Sequence, residues 1–380
     1  MKKKAGGLLS GRNVLSLGSK IVITLSAILC VYSLLRIHSQ SKKYSSSSTR
    51  RSYSLVDEPF QGSPKIAFLF LTRRNLPLDF LWETFFQNAD VGNFSIYVHS
   101  EPGYVFDEST TRSPIFYGRQ LKKSIQVVWG ESSMIEAERL LFGEALQDPA
   151  NQRFVLLSDS CVPLYNFSHI YNYMMSSSKS FVDSFLDAKE GRYNPKMSPN
   201  IPKGKWRKGS QWIALVRKHA KVIVNDDFVL PVFKRYCKRR PPMDFGRGKQ
   251  NLKFQTQHNC IPDEHYVQTL LAMSDLEGEL ERRTLTYTFW NESKTETDRK
   301  AWHPFTFGYA DAGTQQINEI KVINHVNYDS EYRVEWCKSN STLVNCFIFA
   351  RKFSRGAAMR LLSEGIVGNF KDTAMLDTPF

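Results

Sequence analysis

Short apolar runs separated by helical stretches constrain this chain more than any other feature. Ile66–Leu71 (IAFLFL), Phe94–His99 (FSIYVH), Ile125–Trp129 and Phe154–Leu157 (FVLL) each suit a buried strand. Between them, Leu78–Phe86 and Ile135–Leu146 carry apolar residues at helical spacing. Parallel strands need long crossovers, usually helices, so this order predicts an α/β fold with a mainly parallel central sheet. Further on, Lys208–Arg217 (KGSQWIALVR) reads as a strand or a helix start, and Arg239–Lys253 as an exposed basic loop. Gln315–Ile320 and Gly356–Leu362 read as helices, the second opened by Ser354, and Leu343–Ala350 as a strand.

The globular part is preceded by something different. Ile21–Leu35 is an uncharged apolar run bounded by Lys20 and Arg36. It is short against the about 20 residues of a membrane span, but Ile37 and snorkelling of the flanking cations extend it. The small-residue pattern of a cleavage site is poor here, which favours an uncleaved anchor over a signal peptide. The expected organisation is a cytosolic tail (1–20), an anchor (21–37), a Ser-rich basic stem (38–62), a body (63–365) and a C-terminal tail (366–380). The formal charge of +14 suggests nucleic acid at first sight, yet ten of the basic residues precede Asp57, the first acid. Basicity confined to such an arm fits a membrane neighbour, and no nucleic-acid partner is expected.

Four Asn-x-Ser/Thr sequons, at Asn93, Asn166, Asn291 and Asn340, all follow the apolar run and favour a lumenal body. Cys337 and Cys346 flank a short polar loop, and Cys237 and Cys260 bracket a basic segment, so either pair has the spacing to bond. Cys30 and Cys161 read as unpaired.

A sheet of this kind binds ligands beyond the carboxyl ends of its strands. SDSCVP places Asp159 and Ser160 at such an end, where a plain strand-end turn is the competing reading. Arg351-Lys352 lies between an apolar strand and a helix opened by Ser354, a good arrangement for a diphosphate, although a solvated basic turn would look the same. The chain has no P-loop, no G-x-G-x-x-G after the first strand, no G-x-S-x-G elbow and no H-E-x-x-H pair. It also lacks Asp-x-Asp, the carboxylate clamp for a divalent cation, so a diphosphate would have to be met by protein cations.

One acid stands apart. In His258–Met273 (HNCIPDEHYVQTLLAM), Pro262 and Asp263 read as a helix start, with Asp263 as a cap. Tyr266, Val267, Leu270 and Leu271 would bury one face, leaving Glu264 in the first turn, near the positive end of the helix dipole. An ionised carboxylate on a rigid element suits a general base. By local sequence alone, a pair of capping acids is the commoner explanation.

KIAFLFLTRRNLPLDFLW, VVWGESSMIEAERLL, FVLLSDSCVPLYNF, KGSQWIALVR, CIPDEHYVQTLL and FIFARKF occur in that order. Together they resemble the plant branch of the core-2/I-branching β-1,6-N-acetylglucosaminyltransferase family, over about residues 63–365. The resemblance implies a type II Golgi membrane protein with a GT-A-like nucleotide-sugar transferase fold and an inverting, metal-independent mechanism with no cofactor. Its partners would be a UDP-sugar donor, carrying N-acetylglucosamine or glucuronic acid, and a glycan acceptor. It implies Glu264 as catalytic base and Lys352, with Arg351, on the UDP diphosphate. Arg299 and His303 are further candidates for the second diphosphate cation. Thr72, Arg73, Glu131, Asp159 and Ser160 fall to the nucleotide-sugar side, and Ser210, Gln211 and Trp212 to the acceptor side. Two alternatives stay open: a catalytically silent carbohydrate-binding protein, and a lumenal sulfotransferase using Arg73-Arg74 as its phosphate loop.

Overall fold

The computed structural model describes residues 24–33, 60–188, 191–239, 259–290, 303–339 and 342–367. The chain divides into two compact units, Met1–Val56 and Asp57–Phe380. In the first, residues 24–33 are helical and exposed. Among the described residues no helix is long and apolar enough to cross a membrane. Residues 21–23 and 34–37 of the expected anchor, most of the stem, nearly all of the C-terminal tail, Asn291, Arg299 and Asn340 lie outside the described residues.

In the second unit, β1 (Lys65–Leu71) runs through the centre of a six-stranded sheet. β2 (Phe94–His99) and β3 (Asn151–Ser158) flank it in parallel, with Leu71 opposite both His99 and Ser158. All three strands therefore end at one edge. Beyond β3 lie β6 (Ala214–Val216), β5 (Ser180–Phe181) and β7 (Leu280–Glu281). β6 is antiparallel to both neighbours, while β5 and β7 are parallel, so one strand runs against an otherwise parallel sheet.

β1 is apolar at consecutive positions because both faces of the sheet are covered. Ile66, Phe68 and Phe70 enter one core with Trp82, Phe85 and Phe86 of α1 (Asp79–Phe86). Ala67, Leu69 and Leu71 enter a second core with Leu141 and Phe142 of α2 (Ser133–Ala145). Trp82 is fully buried, its ring centroid 5.0 Å from that of Phe70 in an edge-on contact. Its indole N–H donates to the Cys161 carbonyl at 3.2 Å, which ties α1 to the loop beyond β3.

A smaller sheet completes the site. β13 (Phe349–Arg351) lies between β4 (Val162–Pro163), antiparallel to it, and β8 (Thr286–Thr288), parallel to it. Opposite β13, α8 (Arg355–Ser363) starts at Ser354, whose hydroxyl accepts from the Ala357 N–H at 3.2 Å.

Three expectations need correction. Ile125–Trp129 is no strand: the outer edge of β2 is taken by Gln120, which bridges Val98, and the Ile125 N–H donates to His99 Nε2. Leu343–Ala350 is not one strand but two pieces, β12 (Thr342–Leu343) and β13, because Cys346 is bonded to Cys337 between them. The helix expected from Pro262 begins only at Tyr266 as α6 (Tyr266–Met273). Pro262–Glu264 is a separate 3-10 turn, with His265 as the joint. Cys237 is bonded to Cys260, and Cys161 is free and buried.

Candidate active site

Strand pairing explains how two remote loops meet. β4 follows SDSC directly, so its pairing with β13 brings Ser158–Cys161 against Arg351–Phe353. The Phe353 N–H donates to the Ser160 carbonyl at 2.9 Å, locking the junction. Burial raises the Asp159 carboxyl above its ordinary value, opposed by its bond to Ser160 and by Arg351 and Lys352. Burial, reinforced by Arg351, pushes the Lys352 ammonium below its ordinary value. Among the described residues Lys352 forms no ion pair within 4 Å, so the site carries a cation without a close anion.

Arg351 behaves differently from its neighbour. Its guanidinium centre lies 4.3 Å from the Trp212 ring centroid, and its Nε is buried without a hydrogen-bond partner. Asp159 and Asp263 both act on it electrostatically. Arg351 thus sits between the loop beyond β3 and the Glu264 turn, rather than beside Lys352 as a second free cation.

Around Glu264 the acids are crowded. Asp263 is buried inside the Pro262–Glu264 turn, whose cap position is Ile261, and its Oδ1 has no partner. It is therefore not the expected cap. Burial, then the adjacent Glu264, pushes its carboxyl up to about 7. Glu138, 2% exposed on the core face of α2, adds a second buried acid and is held well above its ordinary value by burial. Glu138 accepts a 2.7 Å bond from Gln211 Nε2. Glu264 itself is partly exposed, and Arg192 Nη1 lies 2.5 Å from its Oε2. That ion pair, rather than a helix terminus, is the local electrostatic partner of the carboxylate.

The Lys208–Arg217 stretch, expected on the acceptor side, folds where Gly209 allows it. The Gly209 N–H donates to the Glu264 carbonyl at 2.9 Å. A Cβ on Gly209 would lie 1.7 Å from the Asp183 carbonyl oxygen, so no larger residue fits the approach. Ser210 donates its N–H to Asp183 Oδ2 at 3.0 Å, and its hydroxyl accepts from the Trp212 N–H. Trp212 is buried under Arg351.

The remaining predicted residues divide. Thr72 is buried and spends its hydroxyl on the carbonyls of His99 and Arg74. Arg73 is exposed at the same strand end, and Arg74 pairs with Glu101 at 2.9 Å. Glu131 lies 3.8 Å from Lys238. His303 is exposed beside Trp129, with ring centroids 5.4 Å apart. Asn93 is half-buried, while Asn166 is exposed and caps α3 (Phe167–Ser176), its Oδ1 accepting from the His169 N–H at 3.0 Å. Among the described residues, no three His, Cys, Asp or Glu side chains are grouped to hold a metal ion.

Sequence reasoning did not find Glu138 or Arg192. Glu138 had a signal, an acid in line with Ile135, Leu141 and Phe142 on an apolar helix face. Arg192, in a turn after Gly191, had none.

Comparison with known proteins adds the following. Residues 66–321 match the Core-2/I-branching enzyme family. The chain is 53% identical over 310 residues to a rice (Oryza sativa subsp. japonica) protein named Glycosyltransferase BC10, covering 80% of this chain and 78% of that protein. A solved structure of an active-site mutant of LgtC aligns with 75% of this chain and 86% of its own, at 10% identity and a TM-score of 0.33.

Proposed function

The chain belongs to the Core-2/I-branching enzyme family, and from that premise we propose a single-displacement, inverting transfer from a UDP-sugar to a glycan hydroxyl. The chain is a glycosyltransferase. The finer reading rests on one observation. The partly exposed Glu264 carboxylate and the unpaired Lys352 ammonium belong to one cluster, bridged by Asp263, Arg351 and Asp159.

In this reading Glu264 takes the proton from the acceptor hydroxyl as its oxygen attacks the anomeric carbon. The bond from that carbon to the diphosphate breaks on the opposite face, and its electron pair leaves with UDP. Positive groups of the protein meet the growing charge, Lys352 first among them. No divalent cation takes part. Gln211 and Trp212, beside Glu138 and Arg351, line the acceptor side. The fold is of the GT-A kind, the donor sugar N-acetylglucosamine or glucuronic acid, and the setting the Golgi lumen, with residues 21–37 as a type II anchor. Family membership leaves the sulfotransferase alternative without support.

The test is a screen of the purified full chain against a panel of UDP-sugars, reading released UDP with and without added glycans. One donor should be hydrolysed slowly and transferred faster. A folded protein that turns over none of them is the silent carbohydrate-binding protein instead.

A further inference from the structure

Glu264 is held at two points, by the Gly209 N–H on its carbonyl and by Arg192 on its carboxylate. Both holds lead back to one short segment. Lys208, just before Gly209, exchanges backbone bonds of 2.8 and 2.9 Å with Phe185. Ser210, just after it, donates to Asp183 Oδ2 at 3.0 Å. The Arg192 N–H donates to Asp187 Oδ2, also at 3.0 Å. Residues 183–187 therefore set the base through its backbone and through its side chain.

That segment is gripped in turn from a remote part of the chain. β9 (His325–Tyr328) and β10 (Arg333–Trp336) form an antiparallel hairpin in which Tyr328 lies opposite Arg333. The Tyr328 hydroxyl donates to Asp183 Oδ1 at 2.5 Å. Arg333 Nη2 donates to the Ser184 carbonyl at 3.2 Å, beside Arg282 Nε at 3.1 Å. Glu331, in the turn between the strands, accepts from the Leu186 N–H at 3.0 Å. Phe185 packs on Tyr328, with ring centroids 5.6 Å apart.

The grip is stiffened by charge. Glu331 pairs with Arg282 at 2.7 Å and with Arg333 at 2.9 Å, and the Arg333 guanidinium lies 4.0 Å from the Tyr328 ring centroid. Asp183 is the joint. Burial raises its carboxyl, opposed first by the Tyr328 hydroxyl and then by the Ser210 N–H. One of its oxygens serves the hairpin and the other serves the loop bonded to Glu264. Removing the phenol would leave a buried acceptor without its donor, which is costly enough to shift the joint.

We propose that Tyr328 is a positioning residue for the base, holding Glu264 through Asp183 and the Gly209 loop. The inference rests on the reading of Glu264 above. No bond of the reaction is made or broken at Tyr328, and its hydroxyl proton stays on the phenol.

The test is a double-mutant cycle on the full chain with Tyr328→Phe and Glu264→Gln. UDP released from UDP-N-acetylglucosamine and from UDP-glucuronic acid measures turnover, and calorimetry with UDP measures affinity and the fraction folded. Phe keeps the ring between Phe185 and Arg333 and removes only the hydroxyl. kcat should fall about tenfold or more, as for a misplaced reacting group, with donor KM and UDP Kd unchanged. In the Glu264→Gln background the same change should cost nothing further, because the base that it positions is gone. An equal loss in both backgrounds would mean that Tyr328 acts apart from the base, overturning the proposal. Unchanged kcat in Tyr328→Phe, beside a loss in Glu264→Gln, would overturn it alone. Glu331→Gln weakens both ion pairs of the grip and should behave alike in the cycle, so it reports if Tyr328→Phe fails to fold. Wild-type kcat in Glu264→Gln, or a wild-type chain that turns over neither donor, would overturn the underlying reading together with it.

Discussion

The backbone N–H of Gly209 donates to the carbonyl of Glu264 at 2.9 Å, so the Gly209 loop and the turn bearing the proposed base are directly joined. The bond exists because Gly209 also lies against the Asp183 carbonyl, at a distance no side chain permits. Gly209→Ala must push one backbone away from the other. Overpacking of this kind costs roughly 3 kcal/mol. The variant should melt several degrees below wild type and lose most turnover, as thermal unfolding and a transfer assay on the same sample would record. Unchanged melting and turnover would contradict the joint.

Asp263 sets a pH dependence of stability. Burial first, then Glu264, raises its carboxyl from 3.8 to about 7. Between those values the folded chain keeps a proton that the unfolded chain has released. Stability therefore falls as pH rises through this window and levels off above about 7. Glu138, also raised, pushes the same way. Asp263→Asn cannot ionise, so it should gain on wild type at pH 8, by a few kcal/mol at most, and match it near pH 4. Denaturant unfolding at both pH values measures the difference, and parallel curves would contradict the assignment.

Much of this architecture was legible in the sequence. Ile66–Leu71 and Phe154–Leu157 announced buried strands because both sheet faces are covered, and Ser354 announced the helix it caps. Ile125–Trp129 misled because an apolar run says nothing of whether a strand edge is free, and Gln120 had taken that edge. Glu264, Arg351 and Lys352 could be named from local pattern and family resemblance. Arg192 could not, since its partner Glu264 is 72 residues away in sequence. Asp263 was misread as a cap because a cap and a buried acid look alike until the fold decides where the turn lies.

The topology of the chain has its own test. The Ile21–Leu35 run and the sequons beyond it are the grounds for proposing a lumenal body. Protease added to intact microsomes should spare the body, and glycosidase should increase its mobility, with exposed Asn166 as one acceptor. Digestion of the body without detergent would reverse the orientation.

The proposed reaction predicts metal independence. If Lys352 and its neighbours meet the departing charge, transfer should proceed at full rate in excess EDTA. Lys352→Ala should lose both UDP affinity and turnover, since one well-placed donor is worth about 3 kcal/mol in the transition state, and Mn²⁺ should not rescue it. Activity lost to chelation and restored by Mn²⁺ would move the search to the surroundings of Asp159.

The central claim is that Glu264, held by Arg192, accepts the acceptor proton. Glu264→Gln keeps the shape of the side chain but removes its basicity. Turnover and UDP affinity of this variant, measured on one preparation, test the claim most directly. Turnover should fall about a hundredfold or more, the usual scale of a general base, with UDP affinity nearly unchanged. Wild-type turnover in Glu264→Gln would place the base elsewhere.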